Sequence, residues 1–224
     1  MPGLLTKFKM GEYREVLFWL LLLGSWQFLA SPGRKNGVGG AIGTAVFLLF
    51  ARGNLDNLRR LGLDYARWRS ATGTNWLYAM VSGVIAGVLV FGMGSASGQR
   101  MGLADYWRLV VLQLTLGPVL EEVVFRGYLF ALLLWSFSRV ADDGRRNRLV
   151  VALAAVVFGL AHLAQPGVSW LQFACITATG TLYGWIRYRS GSTAAAAASH
   201  AAYNLTLWVI AGVMLVLTGA PVGR

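Results

Sequence analysis

The sequence predicts an all-α protein, a polytopic bundle of about seven transmembrane helices (six to eight) around an intramembrane polar cavity. Three observations carry this expectation. The 224 residues are 56% hydrophobic and only 13% charged, whereas a soluble domain carries about 25% charged residues. The apolar residues form runs long enough to cross a hydrocarbon core about 30 Å thick. The few ionisable groups inside those runs gather in three short contexts, where a cavity is needed to receive them.

Hydropathy places spans near 15–31, 37–51, 75–94, 106–136, 149–165, 169–187 and 193–217. The first follows Lys7 and Lys9 and begins with "VLFWLLLLG". It runs on through "SWQFLAS" with no small-x-small cleavage site before Pro32, so it reads as a retained helix rather than a signal peptide. The second is short and glycine-rich. Between the second and third, "NLDNLRRLGLDYARWR" reads as an amphipathic stretch on the cytoplasmic surface, its arginines near anionic headgroups. The fourth is long, and Gly117-Pro118 interrupts it with an expected kink or restart. A restart at Pro118 puts Glu121 and Glu122 in the first turn or just beyond, where the helix dipole favours carboxylates. The fifth and sixth follow on either side of a short turn. The seventh opens with "TAAAAAS", small residues that allow close helix approach and an interior position. No polar stretch is long enough for a separate soluble domain, so residues 1–224 read as one transmembrane domain.

The net charge is +11. With the N-terminus in the cytoplasm, segments 1–14, 52–69, 139–148 and 187–189 hold fourteen Lys and Arg, and the outer segments hold five. That asymmetry predicts N-in and C-out. Spread over short loops, the charge excludes a nucleic-acid-binding face. The single cysteine, Cys175, excludes an intrachain disulfide and a cysteine-based metal site. The arginine-rich, histidine-poor composition suggests a prokaryotic cytoplasmic (inner) membrane. Asn204-Leu-Thr206 fits a glycosylation acceptor but falls inside a span and is discounted.

Two of the four glutamates and both histidines lie within spans, in "EEVVFR", "FGLAHL" and "SHAAYN". Glu122 and Arg126 are four apart and share a helix face, so they can neutralise each other. Glu121 points about 100° away, and its partner must come from another span. His200 and Asn204 project together from the seventh span, and Gly159 and Ala161 leave room for a neighbour beside His162. At 1.5 Å rise per residue, Glu121, His162 and His200 lie roughly 23, 20 and 14 Å into the core, deep enough to share one cavity. A carboxylate beside a histidine can hold and deprotonate a water. A second histidine and an amide can donate to an oxyanion. Together they form a set for peptide-bond hydrolysis without a covalent intermediate.

Glu121-Glu122-x-x-x-Arg126, Phe158-x-x-x-His162 and His200-x-x-x-Asn204 occur in that order on separate spans. In this the chain resembles the CPBP family of intramembrane endopeptidases, the CAAX-protease and bacteriocin-processing family that includes Rce1-type enzymes. The resemblance covers about residues 75–217. It implies that Glu121 and His162 activate the water, that His200 and Asn204 form the oxyanion site, and that Glu122 and Arg126 support them. It implies a substrate with a membrane-associated segment, held against the lipid bilayer. No cofactor is expected. A zinc set of Glu121, His162 and His200 is the alternative, but it lacks the His-Glu-x-x-His spacing. Two other classes compete with the protease. A proton-coupled transporter would carry polar residues along a whole path and broken helices in two halves. A non-catalytic peptide-binding or immunity protein would lack turnover.

Overall fold

The computed structural model of the chain describes residues 73–96, 114–163 and 168–218. The first two expected spans, the amphipathic segment and the start of the fourth span lie outside these residues. The described residues form α1 (Gly73–Ala96), then a run in three parts: α2 (Leu116–Glu122), a π-helical stretch (Val123–Leu129) and α3 (Phe130–Ser136). α4 (Asp143–Leu163), α5 (Trp170–Ser190) and α6 (Thr193–Thr218) follow. There is no strand among the described residues. Asn75–Gly94 of α1, Asp143–Leu163 and Thr193–Thr218 are long and apolar enough to cross a membrane. The all-helical, membrane-spanning character is thus as expected. The described residues supply three such helices rather than a count near seven. The fourth expected span is split into seven-residue pieces. α5 is diluted by Gln172, Thr177, Thr179, Thr181 and Arg187.

Helix ends follow local chemistry. Asp142 Oδ1 accepts from the Arg145 N–H at 3.0 Å at the start of α4. That bond holds the exposed Asp142 carboxyl below the usual carboxylate range. Ser169 and Gln172 form a reciprocal capping box on α5. The helix ends at Gly191, whose φ of 69° suits a residue without a Cβ. The break expected at Gly117-Pro118 falls at Thr115, the residue that caps α2. Pro118 therefore sits in the first turn, where its missing N–H leaves no bond unmade. No acidic residue lies in that turn, so the dipole account of the two glutamates gives way to direct partners from other helices.

α1 and α6 approach each other closely. A Cβ at Gly83 would overlap the Ser199 carbonyl, and one at Gly87 would stand 2.8 Å from the Thr206 Cβ. Together with Ala79 these residues recur every four positions and give α1 one small-residue face, the usual device for close packing in lipid. α4 and α5 pack antiparallel, Val151 against Gly184 and Ala155 against Gly180. The core lies between them and the π-helical stretch, where Leu120, Val123, Val124, Phe125 and Tyr128 meet Val150, Ala154 and Phe158.

Candidate active site

α2 and the π-helical stretch carry the acids and the arginine into the core. A π-helix bonds i to i+5, is rare, and often falls at functional sites. Every residue from Val123 to Leu129 is buried. Glu122 and Arg126 are both fully buried, and Arg126 Nη1 donates to Glu122 Oε1 at 3.0 Å. The pair expected from the four-residue spacing is therefore present. Arg126 Nη2 donates to the Gly180 carbonyl at 2.7 Å. Its guanidinium lies 4.3 Å from the centre of the Phe158 ring and 5.4 Å from that of Tyr183. A charge without water is tolerable there because carboxylate, carbonyl and ring faces replace the hydration shell. Gly180 must be small, since a Cβ would stand 3.1 Å from Arg126 Nη2 and 3.0 Å from the Phe158 ring.

α4 and α6 bring the histidines. His162 Nδ1 donates to the Phe158 carbonyl at 2.9 Å. A carbonyl can only accept, so in the neutral ring Nε2 carries the lone pair. That nitrogen faces Glu121 Oε2 at 3.6 Å. His200 Nδ1 donates to Glu122 Oε1 at 3.0 Å, and its Nε2 lies 4.0 Å from Glu121 Oε2. Glu122 is thus bound on two sides, by an arginine of its own run and by a histidine of α6. The second contact was not anticipated from spacing, which assigned a cross-span partner to Glu121 alone. Asn204 stands one turn beyond His200 on α6 and is half-buried.

The sequence reading missed three residues of α5. Arg187 was counted among the loop cations, yet it is buried inside the helix and its Nε donates to the Arg126 carbonyl at 3.2 Å. The positive charge of the 187–189 segment is correspondingly reduced to Arg189. Tyr183 stacks on the His200 ring, and Gly180 accepts from Arg126. A signal for them existed. Thr179, Gly180, Tyr183 and Arg187 recur at helical spacing and mark one small and polar face of α5.

No group of three or more His, Cys, Asp or Glu that could hold a metal ion occurs among the described residues. The alternative zinc set of Glu121, His162 and His200 is thus not among such groups.

Glu121, Glu122, His162, His200 and Asn204 lie inside a segment that one family model matches. Residues 103–206 match the family model described as type II CAAX prenyl endopeptidase, Rce1-like. No curated protein and no solved structure matches the chain. The matched segment holds all three motifs that carry the resemblance. Over residues 103–206, somewhat less than half of its length, the chain is therefore similar to the Rce1-like type II CAAX prenyl endopeptidase family.

Proposed function

We propose that the protein is an intramembrane endopeptidase that hydrolyses a peptide bond in a membrane-associated peptide or protein, using water activated by Glu121 and His162. The observation that carries this reading is the facing of Glu121 Oε2 and His162 Nε2 at 3.6 Å. That separation is too long for a direct hydrogen bond, and a small outward shift of either side chain would admit a water that donates one proton to each acceptor. Glu121 takes the proton as the water oxygen attacks the scissile carbonyl, and returns it to the leaving amine.

His200 and Asn204 are the proposed donors to the tetrahedral oxyanion. His200 already gives its Nδ1 proton to Glu122. To donate from Nε2 as well, its ring must carry both protons, and the Glu122 and Glu121 carboxylates are the counter-charges beside it. Arg126 and Glu122 hold the acid-bearing run in register. The N-in orientation, a prokaryotic inner membrane and a metal-free glutamate mechanism belong to the same proposal.

The test uses purified protein in liposomes with a library of membrane-anchored peptides, read by mass spectrometry. Wild type is expected to generate new termini, and Glu121→Gln none, with both variants equally folded. Equal product from Glu121→Gln, or no product from folded wild type across the library, would overturn the reading.

A further inference from the structure

Tyr183 belongs to none of the motifs, yet among the described residues it makes the closest ring contact of His200. Its ring lies 4.7 Å from the imidazole, centre to centre, with the two planes only 16° apart. Tyr183 is 1% exposed, so its ring has no freedom to swing aside. The other contacts complete a frame. Phe158 meets His200 edge-on at 6.0 Å and 85°. It meets Tyr183 edge-on at 6.4 Å. Glu122 holds His200 Nδ1 at 3.0 Å. A hydrogen bond at one ring nitrogen fixes a pivot, but leaves the imidazole free to rotate about the axis through that bond. A parallel ring on its face removes that rotation.

We propose that Tyr183 is a positioning residue that sets the plane of the His200 imidazole, so that Nε2 points at the reacting carbonyl. The ring carries this role and the hydroxyl does not. Tyr183 can do this because α5 passes close to the acid-bearing run. Gly180, one turn before it, lets the Arg126 guanidinium approach, and Arg187, one turn after it, ties α5 to the Arg126 carbonyl.

The test compares wild type, Tyr183→Phe, Tyr183→Leu and Tyr183→Met. Its kinetic arm rests on the protease reading above, and its spectroscopic arm does not. The chain has two histidines, so histidine-labelled protein in detergent gives two ring signals, and His162→Gln assigns them. In wild type and Tyr183→Phe, the His200 ring protons are expected to be shielded by the stacked ring. In Tyr183→Leu and Tyr183→Met that shielding is lost. Kinetically, Tyr183→Phe should keep kcat within about twofold. The Leu and Met variants should lose on the order of 10² in kcat with KM little changed, the scale expected for a small misplacement of a reacting group.

Absence of shielding at His200 in folded wild type would overturn the proposal, whatever the variants do. So would a Leu or Met variant that melts earlier but retains wild-type kcat, which is the result expected of packing alone. Shielding that is present in wild type and lost in Leu or Met, in a protein that cleaves nothing, sustains the hold of Tyr183 on His200 and removes the protease reading.

Discussion

Glu122 accepts from Arg126 and from His200 on a single oxygen, in a site closed to solvent. It is therefore both a counter-charge and an orienting group. Glu122→Gln removes the charge and leaves the Arg126 guanidinium buried without its ion partner. Breaking one half of a buried pair costs about 3–5 kcal/mol. The variant is expected to melt earlier than wild type and to lose activity, whereas Glu121→Gln should lose activity alone. Thermal melting of both in the same detergent checks the distinction, and equal melting temperatures for Glu122→Gln and wild type would count against the pairing. Asn204 differs from both. Its proposed donor acts on charge that appears only in the transition state. Asn204→Ala should lower kcat about 10²- to 10³-fold while substrate binding stays near wild type. A rise in KM with kcat unchanged would place Asn204 in ground-state recognition instead.

The elements divide the labour between close approach and separation. α1 reaches α6 through Gly83 and Gly87, and the Gly83 contact is the carbonyl of Ser199, next to His200. A methyl at Gly83 must displace that backbone. Gly83→Ala is expected to destabilise by about 1–3 kcal/mol, as overpacking does, and to lower kcat through a shifted His200. Gly92→Ala on the same helix meets nothing within 4 Å and serves as the control. Its melting temperature should match wild type. Similar melting of the two variants would refute the close approach.

The same elements explain what was legible in the sequence. Motif spacing exposed the Glu122–Arg126 pair and the convergence of His162 and His200 on the acids, because those residues are charged or polar against an apolar background. Tyr183 and Gly180 showed only through the small and polar face of α5, which marks a packed face without saying what meets it. An aromatic or a glycine inside a span looks like packing until the neighbour is known. Arg187 was masked by its place at the end of a hydropathy window, where an arginine reads as a loop charge. The π-helical stretch has no signature in periodicity, and the break at Thr115 could not be told from one at Pro118.

On the scale of the molecule, large apolar side chains stand outward. Leu77 and Leu89 on α1 are 63% and 60% exposed, and Val216 and Leu217 on α6 are 82% and 75% exposed. Lipid tails cover such a surface at no cost, and the helices are held by close packing and buried polar contacts rather than by exclusion from water. The proposed mechanism requires no ion anywhere in that assembly. Exhaustive dialysis against a chelator should leave cleavage intact, and elemental analysis should find no stoichiometric zinc. Loss of activity that added zinc restores would recast Glu121, His162 and His200 as ligands.

The acids and the arginine lie before the turn that joins α3 to α4, and both histidines lie after it. Ser138, Arg139, Ala141 and Asp142 of that turn are exposed, which makes it a permissive place to cut the chain. Helices that are satisfied internally can insert separately and meet afterwards in the bilayer. Two halves, 1–140 and 141–224, co-produced in one membrane, are expected to complement each other and regain cleavage that neither half has alone. Catalysis here would then belong to an encounter between helices, with the covalent connection between the halves dispensable.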